Sequence, residues 1–286
     1  MYIYKEEIDL YFELKGTPNS TREAYTRRIG AFINHIQEQN KRIDSITISD
    51  VQQFLLYLKN VKGIAPGTIN AYHSAVKFFC AHVLKLDWDT RSIPRMKRKA
   101  SFPVIPLRKT LRLIIDAPSN LKHKAIIALM YGSGLRVGEV AKLKIKDICS
   151  ESMTVRVEDA KHDTNRYTIL SETALGTLRE YFKAYISGTG YTRDGWLFRG
   201  RNPDKHITVK SIQNTLLNLR KHLGLDDKVS SHILRHSFAT HALEDGVDPV
   251  FIQQLLGHKH LSTTLAYLHL TSKSFMGIKS PLDTHK

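Results

Sequence analysis

The stretch SSHILRHSFATHALEDGVDPVFIQQLLGHKHLSTTLAYLHL, residues 230–270, decides how the C-terminal half of the chain is interpreted. Ser231 is a favourable N-cap and predicts a helix that begins at His232. His232 and Arg235 are three residues apart, so they share one face of the first helical turn. Unpaired backbone N–H groups in that turn favour an anion, and an arginine can donate two hydrogen bonds to its oxygens. This pair therefore suggests an anion site, although taken alone it is better explained by an ordinary helix terminus.

The second part of the stretch adds a histidine and a tyrosine. The Asp-Pro pair at 248–249 predicts the start of another helix, and Gly257 predicts its end. His258 follows that glycine, and Ser262 is the expected cap of a last helix that carries Tyr267. A histidine after a helix end and a tyrosine on an amphipathic helix are each most often structural. Their significance depends on what accompanies them.

A matching group of residues precedes this stretch by about a hundred positions. Arg136 follows a glycine turn at 132–134 and opens a short helix, and Glu139 lies one turn later, where it can brace the arginine. Lys161 lies in a polar loop between two alternating segments that predict strands. Two arginines with two histidines suit a phosphodiester, and a tyrosine needs such help because its free pKa is about 10. The alternatives are a surface ion pair and a solvated loop lysine.

The composition favours a folded chain with a polyanionic partner. Of the 286 residues, 42% are hydrophobic and 24% are charged, which is typical of globular proteins and predicts about two domains. Lysine and arginine number 43 against 27 aspartates and glutamates, so the formal net charge is +16. Residues 93–110 contain six basic and no acidic side chains. This excess favours nucleic acid as the partner, although basic surfaces also occur for solubility alone.

The sequence predicts no targeting signal, membrane segment, metal site or disulfide framework. The first residues, MYIYKEEIDL, have acids where a signal peptide would have basic and then apolar side chains. The longest apolar run, residues 125–131, is too short to span a bilayer. Cys80 and Cys149 are too few for a disulfide framework or a zinc site. We therefore expect no cofactor, no metal and no membrane partner, and a cytoplasmic location in a prokaryotic cell or in the host of a mobile element or virus.

Hydrophobic periodicity predicts a mainly α fold with a small β-sheet. Residues 1–92 contain four amphipathic helical patterns that can bury one shared core. Residues 93–107 contain prolines and a basic cluster, and they predict an interdomain linker. Residues 108–286 mix helices with two alternating strands, 153–157 and 166–170, joined by the loop that holds the lysine. The chain is thus expected to form a helical domain and an α+β domain.

The motifs together resemble one family. In order, the chain carries GSGLRVGE at 132–139, a lysine between two predicted strands, HILRHSFATH at 232–241 and LLGHKHLSTTLAYLH at 255–269. This arrangement resembles the tyrosine recombinase, or phage integrase, family, and within it the simple bacterial and archaeal Xer-like members. The resemblance covers nearly the whole chain. It implies that residues 1–92 are a DNA core-binding domain and residues 108–286 a catalytic domain.

The resemblance also implies a role for each site residue. Tyr267 would be the nucleophile, which attacks the scissile phosphate and forms a 3′-phosphotyrosyl enzyme with a free 5′-hydroxyl. Arg136 and Arg235 would bind the non-bridging oxygens, and His258 would support the same phosphate. Lys161 would protonate the 5′-oxygen as it leaves. No metal or ATP is implied, because the arginines supply the charge and the covalent bond conserves the phosphodiester energy.

Three further implications concern supporting residues and partners. His232 would assist proton transfer at the tyrosine, Glu139 would position an arginine, and His236 would provide packing or support. The implied partners are double-stranded DNA and three further copies of the chain, in a tetrameric synapse on two sites. Two other functions stay open: a type IB topoisomerase-like enzyme that nicks and reseals DNA, and a catalytically silent DNA-binding accessory protein.

Overall fold

The computed structural model describes residues 4–87, 91–97, 103–158, 165–188, 191–225 and 229–271. The chain forms two compact units, residues 1–101 and 102–286. Within the described ranges, no helix is both long enough and apolar enough to cross a lipid bilayer.

The described part of the first unit is a bundle of four helices around one core. Its helices are α1 (Lys5–Leu14), α2 (Asn19–Glu38), α3 (Ile48–Asn60) and α4 (Pro66–Phe78). A π-helical turn at Phe79–Val83 extends α4. The apolar stripes of the helices meet in the core, where Phe32, Phe54 and Phe79 are buried. The predicted set of four amphipathic helices is confirmed.

Residues 93–97 are attached to α4 through their backbone. The Asn70 side-chain amide donates to the Met96 carbonyl at 3.0 Å and accepts the Met96 N–H at 2.9 Å. His73 Nε2 lies 2.8 Å from the Ile93 carbonyl oxygen. The first part of the predicted linker therefore packs within the first unit, because buried side chains satisfy its main-chain groups. The domain boundaries of the sequence analysis stay a prediction.

The second unit combines helices with a small sheet. Its helices are α5 (Arg108–Asp116), α6 (Leu121–Gly132), α7 (Val137–Ala141), α8 (Glu172–Tyr185), α9 (Val209–His222), α10 (Ser231–Glu244), α11 (Pro249–Leu256) and α12 (Leu261–Leu265), followed by a 3-10 turn at Ala266–Leu270. Residues 125–130 of α6 are all buried, because this helix lies between α8 and α10. The predicted mainly α fold with a small sheet is confirmed.

The described strands form one antiparallel sheet in the order β1-β2-β3. They are β1 (Ile148–Cys149), β2 (Thr154–Val157) and β3 (Arg166–Ile169). The pairing of β2 with β3 runs from Thr154 opposite Ile169 to Val157 opposite Arg166, which confirms the predicted hairpin. Strand β1 was not predicted, because two residues are too few to show an alternating pattern. Lys161 lies outside the described residues.

Helix α10 begins one residue earlier than predicted. The Ser230 side chain accepts the Ile233 N–H at 3.4 Å, so Ser230, and not Ser231, is the N-cap. Helix α12 also begins earlier, at Leu261, and Ser262 lies inside it. The predicted cap residues were therefore wrong at both helices, although the helices themselves are present.

Helix α11 has the predicted ends. The Asp248 side chain accepts the Val250 N–H at 2.7 Å, and Pro249 occupies the first helical position. Gly257 ends the helix in the left-handed conformation, with φ of 64°. This end brings the last carbonyl groups of α11 and the following His258 toward α10.

Candidate active site

Arg235, which belongs to α10, is buried although it is charged. It is 5% exposed, and its guanidinium donates to two main-chain carbonyls, Gly134 at 2.8 Å and Leu256 at 2.5 Å. Gly134 has φ of +63°, and a Cβ there would lie 2.5 Å from a ring carbon of Phe238, so only glycine fits this approach. Burial, followed by repulsion from Arg136, lowers the pKa of Arg235 to about 10, and the side chain therefore stays cationic at neutral pH.

Glu139 is the carboxylate that gathers the charged residues of the site. It lies in the first turn of α7, where it accepts the Arg136 backbone N–H at 2.7 Å and the Arg136 Nη1 at 2.8 Å. Arg235 Nη1 is 3.7 Å from its Oε2. The predicted bracing of Arg136 by Glu139 is thus present in the structure. The same glutamate also contacts the second predicted arginine.

Arg166 is a third arginine at this carboxylate, and it was not among the predicted site residues. Its Nη1 and Nη2 lie 3.0 and 2.8 Å from the two carboxylate oxygens of Glu139, and its Nε donates to the Leu255 carbonyl at 2.9 Å. Burial alone would raise the pKa of Glu139, but the hydrogen bonds and charge of Arg166, together with Arg136, hold it below its usual value. Glu139 is therefore ionised. We call Arg136, Arg166, Arg235 and Glu139 the arginine cluster.

Tyr267 lies in the 3-10 turn that follows α12, with its ring buried. Its hydroxyl is 2.9 Å from His236 Nδ1, and its ring stacks on His258 with centroids 6.0 Å apart and planes at 14°. Burial raises the pKa of Tyr267, whereas the charges of Arg235 and Arg136 lower it. The net shift is upward, so the phenol is protonated in this state. The charges of Arg136 and Arg235, two predicted site residues, nevertheless favour ionisation of Tyr267, the predicted nucleophile.

His258 is held directly after the left-handed Gly257. Its Nδ1 lies 2.9 Å from the hydroxyl of the buried Thr264, and the Gln253 side chain donates to its carbonyl at 3.0 Å. Burial, followed by repulsion from Arg235 and then from the other two arginines of the cluster, lowers the pKa of His258 to about 4. The imidazole is therefore neutral at pH 7 and carries one N–H donor.

The two predicted site histidines of α10 differ in their exposure and contacts. His232 is exposed in the first turn, whereas His236, one turn later, is half-buried and meets the Tyr267 hydroxyl. Burial, followed by the charges of His232 and Arg235, lowers the pKa of His236, which favours a neutral ring that can accept a proton. The contact with the Tyr267 hydroxyl is made by His236, which lies on the same helix face as His232 but one turn further along.

The structure thus brings together most of the predicted site. Seven predicted residues lie in its described part: Arg136, Glu139, His232, Arg235, His236, His258 and Tyr267. Lys161 falls outside that part, but it precedes Arg166 by five positions, and Arg166 begins β3 at the cluster. The described side chains include no group of three or more His, Cys, Asp or Glu suited to a metal ion. The cluster has a positive excess of charge and suits an anion such as a phosphodiester.

Comparisons with known proteins agree with this arrangement. Residues 107–274 match the model of the phage integrase family, and residues 5–90 match that of its N-terminal SAM-like domain. The chain is 32% identical to the tyrosine recombinase XerA of Pyrococcus horikoshii, over 94% of this chain and 89% of the relative. It is also 32% identical to a putative integrase/recombinase, y4qK, of Sinorhizobium fredii, over 92% and 83% of the two chains.

Solved structures show the same fold. A crystal structure of XerA recombinase matches 97% of this chain and 99% of its own, with a TM-score of 0.56 and 27% identity. The XerH site-specific recombinase bound to its difH substrate matches 95% and 83% of the two chains, with a TM-score of 0.71 and 19% identity. The Tn1549 transposon integrase in complex with a circular intermediate DNA covers 92% and 93%, with a TM-score of 0.68 and 20% identity.

The fold and the site define an enzyme class that pairs a helical N-terminal domain with an α+β domain holding arginines and a tyrosine. The chain belongs to the phage integrase family, as a tyrosine recombinase of the Xer-like type. The resemblance seen in the sequence and the predicted enzyme class, a tyrosine-type site-specific recombinase, are confirmed. The roles of the individual residues stay predictions.

The low pKa of His258 predicts a pH-dependent loss of stability. Unfolded histidine takes up a proton near its usual pKa of about 6.5, whereas folded His258 does so only near pH 4. The unfolded state therefore binds more protons between these values and is favoured as the pH falls through them. In urea unfolding of the second unit from pH 7 to 4, His258→Gln should lose less stability than the wild type, by up to about 3 kcal/mol.

The matched control for this experiment is His260→Gln, which changes an exposed histidine next to α12. Its stability should follow the wild-type curve across the same pH range. Parallel curves for the wild type and His258→Gln would contradict the account of a buried, neutral imidazole.

Proposed function

We propose that this chain cleaves and rejoins double-stranded DNA at specific sites through a 3′-phosphotyrosyl intermediate, without metal or ATP. One observation supports this mechanism above the others. The Tyr267 hydroxyl is buried at the arginine cluster, where the charges of Arg235 and Arg136 both favour its ionisation. A phosphate bound there would meet a nucleophile and two cations in one site.

The proposed cleavage step is an in-line displacement at phosphorus. The Tyr267 oxygen forms a bond to the scissile phosphorus, and the bond from phosphorus to the 5′-oxygen breaks. The phenol proton passes to a histidine, for which His236 Nδ1, 2.9 Å from the hydroxyl, is the best-placed acceptor. His232 lies on the same face of α10 and assists. Lys161 supplies a proton to the departing 5′-oxygen.

Arg136, Arg235 and His258 stabilise the charge on the transferred phosphate. Arg235 remains cationic because its pKa is about 10, and its position is fixed by two carbonyl groups. His258 is neutral near pH 7, and donation from the Thr264 hydroxyl to its Nδ1 would leave a proton on Nε2 for a phosphate oxygen. Such preorganised donors contribute most when charge develops in the transition state.

The absence of metal and ATP from this scheme has a chemical basis. Guanidinium groups supply the positive charge that a metal ion supplies in other phosphoryl-transfer enzymes. The phosphotyrosyl bond conserves the energy of the broken phosphodiester, so attack by a 5′-hydroxyl reverses the step and rejoins a strand. Exchange between two duplexes cuts four strands. With one Tyr267 in each chain, we propose a tetramer on two sites.

The assignment of DNA as the partner rests on the net charge of the chain and on its structural relatives. The formal net charge of +16 favours a polyanion. XerH and the Tn1549 integrase, which share the fold, were solved bound to DNA. We therefore assign DNA contact to both units of this chain, with the first unit as the core-binding domain.

Replacement of the nucleophile tests the mechanism directly. The DNA is a library of duplexes with random inverted half-sites and a nick near the centre, which traps a covalent complex because the short cleaved fragment is lost. Wild-type protein should form a denaturant-resistant adduct in EDTA and without nucleotide, and Tyr267→Phe should form none while still shifting the DNA on a gel. Peptide mass spectrometry should find the phosphotyrosyl link at residue 267.

The control for this assay is Tyr185→Phe, which changes a half-exposed tyrosine on α8, and it should form as much adduct as the wild type. An adduct that persists in Tyr267→Phe, or one attached to a different residue, would rule out the proposed nucleophile.

A sulfur substitution tests Lys161 as the general acid. With the normal substrate, Lys161→Ala should slow strand cleavage by about 10²-fold or more, the usual contribution of a general acid. With sulfur in place of the 5′-bridging oxygen, the leaving group is a thiolate that needs no proton, so the variant should cleave nearly as fast as the wild type. Lys183→Ala, at an exposed position on α8, serves as the control. Equal defects with both substrates would assign the proton to another group.

A two-site assay separates recombination from nicking and resealing. Two copies of the selected duplex sequence are placed on one supercoiled plasmid. A recombinase should yield deletion or inversion products that require both sites, because strands are exchanged between them. A type IB topoisomerase-like enzyme would only relax the plasmid, at the same rate with one site as with two.

A further inference from the structure

Arg166 is largely buried within the arginine cluster. Its side chain is 11% exposed, compared with 39% for Arg136. Three of its donors are used within the protein: Nη1 and Nη2 on Glu139, at 3.0 and 2.8 Å, and Nε on the Leu255 carbonyl at 2.9 Å. Its contacts therefore indicate a role that acts through other residues.

These contacts join three separated parts of the second unit. Arg166 begins β3 and follows Lys161 by five positions in the sequence. Glu139 belongs to α7, whose first turn presents Arg136. Leu255 precedes Leu256, whose carbonyl holds Arg235. One side chain thus connects β3 with α7, which follows Arg136, and with α11, whose Leu256 carbonyl holds Arg235.

Gly257 packs closely against the Arg166 side chain, which leaves no room for a Cβ at residue 257. A Cβ on Gly257 would lie 2.8 Å from Arg166 Cδ and 3.1 Å from its Nε. Any larger residue would therefore displace the guanidinium from Glu139 or distort the end of α11. His258 follows this glycine, so the position of Arg166 also affects the place where the imidazole enters the site.

The electrostatic effect of Arg166 follows from its two contacts on one carboxylate. Glu139 also accepts two hydrogen bonds from Arg136 and lies 3.7 Å from Arg235. Without Arg166, the negative charge of Glu139 would be compensated by the other two arginines alone and would attract them away from an incoming phosphate. With Arg166 in place, both carboxylate oxygens are already occupied by a bidentate pair.

We propose that Arg166 is a positioning residue for phosphate activation, which neutralises Glu139 and fixes the registry of α7, β3 and α11, so that Arg136 and Arg235 act on the scissile phosphate. This inference rests on the proposed phosphotyrosyl function. It predicts an effect on the rate of strand cleavage and a small effect on DNA affinity, because Arg166 makes no direct contact with the substrate.

The test uses two forms of the nicked substrate, one with a normal scissile phosphate and one with a neutral methylphosphonate. On the normal phosphate, Arg166→Met should reduce the single-turnover cleavage rate by about 10²-fold, as expected for misplaced catalytic groups. On the methylphosphonate, which needs less positive charge, the defect should shrink to about tenfold or less. Arg166→Lys keeps the charge but loses the planar fork, and it should fall between Arg166→Met and the wild type.

Two further variants separate positioning from folding. Arg156→Met is the matched control, because Arg156 lies on β2 of the same sheet and pairs with Asp147 and Glu158 outside the cluster. It should cleave both substrates at the wild-type rate. The double variant Arg166→Met with Glu139→Gln removes the uncompensated charge and should cleave faster than Arg166→Met alone. Unfolding curves measured on each variant identify any that do not fold.

The outcomes distinguish a failure of this inference from a failure of the proposed function on which it rests. If the wild type forms no Tyr267-dependent adduct, the proposed function fails. If the wild type cleaves and folded Arg166→Met has the same defect on both substrates, Arg166 has only a structural role and the inference is overturned. The inference is also overturned if Arg166→Met cleaves the normal phosphate at the wild-type rate. It is overturned as well if the double variant cleaves more slowly than Arg166→Met.

Discussion

The second unit depends on one interaction, that of the buried Glu139 carboxylate with three arginines. Burying a charged group costs several kcal/mol unless close partners compensate it. Here the compensation comes from Arg136, the residue directly before the same short helix, from Arg166 on β3 and from Arg235 on α10. Elements that are distant in sequence must therefore meet at one point before the carboxylate is satisfied. The fold of this unit and the geometry of its site are consequently specified by the same contacts.

The main-chain carbonyls complete that constraint. Arg235 is held by Gly134, in the turn after α6, and by Leu256, at the end of α11. Both carbonyls belong to places where a helix ends, so they lack the partners that a helix interior would provide. A buried guanidinium satisfies them, and they in turn fix its orientation. Helix termination, which is usually a local event, here orients a cation in the site.

Much of the fold and the site could be predicted because local patterns encode them. Arg136 and Arg235 occur near helix starts, His258 follows a glycine that must adopt positive φ, and these signals survive in a linear sequence. Arg166 could not be found in this way, because its importance arises from a contact with Glu139, 27 positions away, and a charged residue at a strand start has many explanations. Which of His232 and His236 contacts Tyr267 could not be predicted, because residues one turn apart share a helix face and differ mainly in their position along the axis.

The site holds a neutral His258 and a protonated Tyr267 beside its arginines. Three guanidiniums around one carboxylate leave a positive excess among the described side chains, and this excess helps to keep His258 neutral. Burial meanwhile raises the pKa of Tyr267, and the charges of Arg235 and Arg136 offset only part of that rise. A phosphodiester brings one negative charge, and attack by a phenolate places two on the transferred group. In the reaction that we propose, the cluster would therefore complement the transition state more closely than the bound substrate, which is the condition under which binding energy accelerates a reaction.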